Sequence, residues 1–200
     1  MKQEDYLEYN PACLYTEKLE FKIFIMVSLL ADNNLAYRGT LNDISRDLGY
    51  AGTADTRRNR RIKEAIAQLE SAELIKTIKD GNIYTLTLSR YAEKNVIKIA
   101  RGTVKTIRET LMSERSGHDW SYTLKVLLYL YETDNSFVEG MNDRYYKQIA
   151  EDLRITTKQV GVAIKQLEER FQAIITKKHY YFEEGKVLFR LPTTIRIQEQ

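Results

Sequence analysis

The sequence predicts a mainly α chain with small β-hairpins, an α+β fold laid out as two tandem units of like construction. Three observations carry that expectation. The order of patterns recurs: an apolar helix, a short helix, a longer helix and a hairpin appear around residues 20–88 and again around 122–191. An Ile-x-x-Asp-Leu run falls in both short helices, at 44–48 and 149–153. The longer helices share an i, i+4, i+7 apolar triad, Ile62, Ile66 and Leu69 in the first unit and Val160, Ile164 and Leu167 in the second. That spacing lines one face of a helix, and a fixed order repeated along a chain marks a duplicated unit.

Composition bounds the class. Of 200 residues 43% are hydrophobic and 30% charged, ordinary for a globular protein, and no run approaches the ~20 apolar residues that span a bilayer. Met1-Lys2-Gln3-Glu4-Asp5 leads into no apolar stretch of the signal-peptide kind, and one cysteine, Cys13, allows no internal disulfide. We therefore expect a cytoplasmic chain without a membrane partner. The net charge of +3 permits nucleic-acid binding, where the distribution of charge matters more than its total.

Catalytic chemistry finds little to build on. The two histidines, His118 and His179, cannot assemble a multi-histidine metal site, and Gly185-Lys186 lacks the upstream glycine and the hydroxyl residue of a phosphate loop. Cys13, beside Pro11 and Leu14, reads as a small packed residue. The expectation is a non-enzyme with no metal and no cofactor.

Element by element, the first domain is expected over 1–93. An extended leading segment bears Tyr6, Leu7 and Tyr9; a helix over 17–31 buries one face through Phe21, Phe24, Ile25 and Leu29. Thr40 with Asp43 predicts a capped short helix that Gly49 stops, and Asp55 caps a third helix running to about Ser71. Asp80-Gly81 between two β-rich runs signals a hairpin. Residues 94–118 are expected to link the units, with an apolar bit at 96–99 and a helical run from Thr103. The second domain, 119–200, opens on a helix through Leu124, Val126, Leu127, Leu130 and Tyr131. Thr156 or Thr157 caps its third helix, and a ribbon follows over 174–182 and 187–191.

Helix, short helix, longer helix and two-stranded ribbon is the winged-helix order, so the expectation sharpens to two tandem winged-helix domains. In that arrangement the third helix lays its N-terminal half in a major groove. Arg57, Arg58, Arg60, Arg61 and Lys63 crowd into that half of the first unit. With Ile62 inward, ~100° per residue turns Arg57, Arg60, Arg61 and Gln68 outward and leaves Arg58 near the core edge. The planar arginine fork takes guanine or a phosphate bidentately, and cations at a helix N-terminus oppose the dipole until an anion arrives. The alternative is a solvated basic face balanced by Glu64, Glu70 and Glu73. Lys76 and Lys79 flank the first ribbon. In the second unit the outward candidates are Thr157, Lys158, Gln159, Val162, Lys165 and Gln166, a mixture suited to base-edge and phosphate contacts. The acidic tip Glu183-Glu184 of the second ribbon opposes phosphate and leaves a protein partner open.

Two winged helices in tandem on a chain of this size, with the apolar stretch Leu-Lys-Val-Leu-Leu-Tyr-Leu-Tyr-Glu over 124–132, resemble the initiator proteins of theta-replicating plasmids. The resemblance is one of architecture. It implies a double-stranded DNA partner, readers at Arg57, Arg60, Arg61, Lys158, Gln159 and Lys165, a homodimer, and host replication proteins as further partners. The expected function is sequence-specific duplex binding in replication initiation or maintenance of a plasmid, phage or mobile element. A transcriptional regulator and a winged-helix scaffold for proteins are the alternatives.

Overall fold

The computed structural model describes residues 6–50, 55–89, 96–113, 119–134, 142–143, 146–177, 180–183, 186–190 and 194–197. Its architecture is mixed α+β, helices with small antiparallel sheets, in two compact units, Met1–Lys105 and Thr106–Gln200. Among the described residues no helix is long and apolar enough to cross a membrane.

In the first unit α1 (Lys18–Leu30) is buried from Phe21 through Leu29. A single buried face was expected; the helix is instead enclosed. Helix α3 (Thr56–Ser71), the 3-10 turn Pro11–Tyr15, and strands β2 (Ala36–Thr40) and β4 (Ile83–Leu88) all pack on it. An all-round apolar helix is stable only where it is covered on every side. The leading segment contributes strand β1 (Tyr6–Tyr9), which pairs antiparallel with β5 (Ile97–Ala100). Arg101 then donates to the Leu29 carbonyl at 2.6 Å, placing a cation on the last turn of α1 where the helix dipole favours it.

Helix α2 (Leu41–Asp47) begins in a capping box. The Asp43 N–H donates to Thr40 Oγ1 at 3.2 Å, and the Thr40 N–H donates to Asp43 Oδ2 at 2.9 Å. Ahead of the box Gly39 is closely packed: a Cβ there would sit 2.8 Å from the Tyr37 hydroxyl and 3.1 Å from Asp43 Cβ, so those side chains would have to shift. Gly49, at φ 85°, ends the turn after α2 as expected. Asp55 caps α3 by accepting the Arg57 N–H at 2.9 Å, and Ile62, Ile66 and Leu69 are all buried. β3 (Ile75–Asp80) and β4 form the expected hairpin on a two-residue turn whose first residue, Gly81, has φ 56°. Strand β2, unforeseen in the sequence, adds to the far edge of β4, giving the sheet order β2-β4-β3.

The stretch read as a linker holds β5 and α4 (Arg101–Ser113) in its described part, and the division between units falls within α4. His118 lies outside the described residues.

The second unit repeats the order. It runs α5 (Trp120–Asp134), β6 (Asn142–Asp143), α6 (Tyr146–Asp152) and α7 (Thr157–Lys165), closed by a π-helical turn over Gln166–Arg170. Thr156 is the cap, with Gln159 completing a capping box. Strands β7 (Ile174–Lys177), β8 (Tyr180–Glu183), β9 (Lys186–Arg190) and β10 (Thr194–Ile197) follow. The returning arm is longer than expected. β7 pairs with β10 from Ile174↔Ile197 to Lys177↔Thr194, and β8 pairs with β9 from Tyr180↔Arg190 to Glu183↔Lys186. β10 also pairs with β6, and the order β6-β10-β7 matches β2-β4-β3 strand for strand. His179, Glu184 and Gly185 of the sequence reading lie outside the described residues.

The shared Ile-x-x-Asp-Leu run has a common physical role. Its isoleucine and leucine are buried in both units, and its aspartate accepts a tyrosine hydroxyl in both: Tyr37 to Asp47 at 2.8 Å, and Tyr129 to Asp152. The tyrosines arrive from unlike elements, a strand in one unit and the first helix in the other.

Candidate nucleic-acid interface

The basic residues of α3 divide between its solvent face and its edge as the helical spacing predicts. Arg57, Arg60, Arg61 and Lys63 are exposed. Arg60 pairs with Glu64 at 3.4 Å, but both side chains are more than half exposed, so water and salt leave that pair of little worth. No ion pair engages Arg57, Arg61 or Lys63 among the described residues. Arg58 is the exception. Its guanidinium lies 5.0 Å from the Tyr50 ring centroid and donates to Ser45 Oγ at 3.4 Å, tying the start of α3 to α2. Asp55, an anion at the N-cap, offsets part of the conflict between these cations and the helix dipole.

The ribbon lysines do not act together. Side chains alternate across a strand, so Lys76 and Lys79, three apart on β3, point to opposite faces of the sheet. Lys79 lies 5.9 Å from the centroid of the buried Tyr84 ring and joins Lys63, Asn59, Asn42 and Asn82 around a cleft of about 250 Å³ between α3 and the hairpin turn. Lys76 lines a different and larger cavity, about 810 Å³, at the C-terminal end of α3 beside Glu70 and Glu73.

In the second unit Thr157, Lys158 and Lys165 are exposed, and Lys165 is paired with Glu169 at 3.7 Å. Gln159 is committed to its own helix: its Oε1 accepts the Thr156 N–H at 2.7 Å and the Thr156 hydroxyl at 2.9 Å. Bidentate recognition of adenine needs that oxygen as an acceptor, so Gln159 would have to give up its cap to read a base. Gln166 faces inward, accepting a 2.6 Å hydrogen bond from the buried Thr123 hydroxyl. The outward set of α7 therefore shrinks to Thr157, Lys158, Val162 and Lys165.

Asn42, Asn59 and Asn82 escaped the sequence reading. The one local signal was Asn59 standing a single turn before Lys63, since i and i+4 share a helix face; the other two meet it through the fold. No known protein family matches the chain, and no curated protein is similar to it.

Proposed function

We propose that this protein is a sequence-specific binder of double-stranded DNA built from two tandem winged-helix domains, serving replication initiation or maintenance of a plasmid, phage or mobile element. The observation that carries the reading is the exposed face of α3. It presents Arg57, Arg60, Arg61 and Lys63 without buried partners, next to Lys79 on the ribbon and over a packed stripe of Ile62, Ile66 and Leu69. Charge held out to solvent at the front of a rigid helix suits a major groove, where arginine forks meet guanine edges and phosphates. The matching strand orders β2-β4-β3 and β6-β10-β7 support a duplicated unit with a second reading helix in α7.

A second reading is favoured by one observation. With Gln159 capping its helix and Gln166 turned inward, α7 offers few groups to a base edge, which suits a second domain that docks on a protein. Selection of bound sequences from a random duplex pool tests both. Two enriched half-sites support the tandem reader, one half-site assigns the second domain to a protein partner, and no enrichment removes sequence-specific binding altogether.

A further inference from the structure

The cleft between α3 and the hairpin turn is lined by two lysines, three carboxamides, Thr40, Leu41 and Tyr84, with no acidic residue among them. Neither Lys63 nor Lys79 has an ion pair among the described residues, and Tyr84 is buried beneath Lys79. Lys63 and Lys79 reach this cleft from separate elements, and like charges lining one cleft are relieved when an anion lies between them. We infer that this cleft clamps a single backbone phosphate of the duplex, with Lys63 and Lys79 holding the same group from the helix side and the ribbon side. The inference rests on the DNA-binding reading and adds to it the point at which helix and ribbon grip one strand together.

The carboxamides fit that ligand. Asn59 Nδ2 sits 3.5 Å from Asn42 Oδ1, a marginal hydrogen bond, and Asn59 Oδ1 is buried without a partner. A carboxamide can turn over, exchanging its acceptor for two N–H donors. Turned over together, Asn42 would donate to Asn59 Oδ1, and the buried acceptor would gain a partner. The two lysines and the three carboxamides that line one cleft supply donors suited to an anion rich in acceptors. Contacts of this kind fix the register of a helix on the duplex and carry no base information, so the clamp positions the arginines and does not read sequence itself.

The test uses the full chain and a mixed-sequence duplex of about three helical turns. Affinity is measured against salt for the wild type, Lys63→Gln, Lys79→Gln, the double variant, Asn59→Asp, and Lys98→Gln as a control on the distant β5. One shared phosphate predicts that the double variant flattens the slope of log affinity on log salt by about 0.9, the share of a single phosphate. Asn59→Asp, nearly isosteric, should weaken binding by setting a negative charge in the cleft, and Lys98→Gln should leave it unchanged. A loss near 1.8 in the double variant would mean two separate phosphates and overturn the clamp. So would an unchanged slope in a protein whose Arg57→Ala, Arg61→Ala variant does lose affinity, which leaves the DNA reading standing. A wild type that does not bind the duplex at low salt removes the reading and the clamp together. Titration with inorganic phosphate, followed by the side-chain amide NMR signals of Asn59, covers the remaining source: a shift there without duplex binding makes the cleft a site for free phosphate and overturns the inference as drawn.

Discussion

Arg57 and Arg61 stand a turn apart on the exposed face of α3, and what they do on meeting DNA is measurable one residue at a time. Replacing both with alanine should weaken duplex binding and flatten its salt dependence by about 0.9 for each phosphate the protein no longer neutralises. If one of them reads guanine instead, the loss concentrates at one base position, about 1 to 3 kcal/mol, and discrimination relaxes there. Unchanged affinity and slope would reduce the cluster to a solvated face. Tyr37 makes a different kind of prediction. Burial, and then its hydrogen bond to Asp47, push its phenol well above the usual tyrosine range. A raised folded-state value means the contribution is complete below the ordinary tyrosine pKa and is lost as pH climbs through the raised one. Tyr37→Phe should destabilise the first unit by about 1 to 2 kcal/mol near neutral pH, part of the value of a hydrogen bond to a charged acceptor because Asp47 is partly exposed. A melting point equal to the wild type's would show that Asp47 recovers the lost bond from water.

At the scale of the element, what could be read from sequence was what the chain decides within a few residues. Thr40 with Asp43, Asp55, Thr156, Gly49 and Gly81 mark their caps and turn because each acts on backbone no more than three residues away. Strands β2, β6 and β10, and the pairing that makes the extended leading segment a strand, lie beyond a local reading because each depends on a distant partner; Tyr6 pairs with Ala100, and Ile195 with both Asn142 and Thr176. The same limit explains the site. The arginine face followed from helical periodicity, whereas the inward turn of Gln166 depends on Thr123, 43 residues earlier in the chain. The α2 cap gives a prediction with a sign. Hydrogen bonds from the Thr40 side chain and backbone, with Arg46 at 2.9 Å, hold the Asp43 carboxyl below the usual aspartate range. A depressed value means stabilisation that is present above the ordinary aspartate pKa and lost as pH falls through the lowered one. Thermal melts of the wild type should therefore drop more steeply below about pH 4 than those of Asp43→Asn, whose loss is already present at neutral pH. Parallel curves for the two would show that the cap is not linked to stability through Asp43.

Across the whole molecule the division into two units makes the first claim to be tested. Ile66 and Ile164 occupy matching positions on α3 and α7, each 97% or more buried in its own unit, and an aspartate at either would be a buried charge with no partner. Ile66→Asp should abolish hydrogen-exchange protection in the first unit while leaving much of the second, and Ile164→Asp the reverse. Global loss from either change would show that the units fold as one. The second claim concerns why the unit is duplicated. The exposed faces of α3 and α7 carry different groups, arginines in one and Thr157, Lys158 and Lys165 in the other, so under the proposed function they call for two unlike half-sites in fixed order. If both engage the duplex in successive major grooves, the footprint should span ~20 base pairs. Lys158→Ala with Lys165→Ala should then lower affinity for the intact site and leave a site reduced to the first half unaffected, and exchanging the order of the halves should cost most of the binding. A footprint confined to one half, lost with the α3 arginines and indifferent to Lys158 and Lys165, would assign DNA to the first unit alone. The second would then stand as the surface that meets a protein, in keeping with the Gln159 oxygen already committed to capping α7.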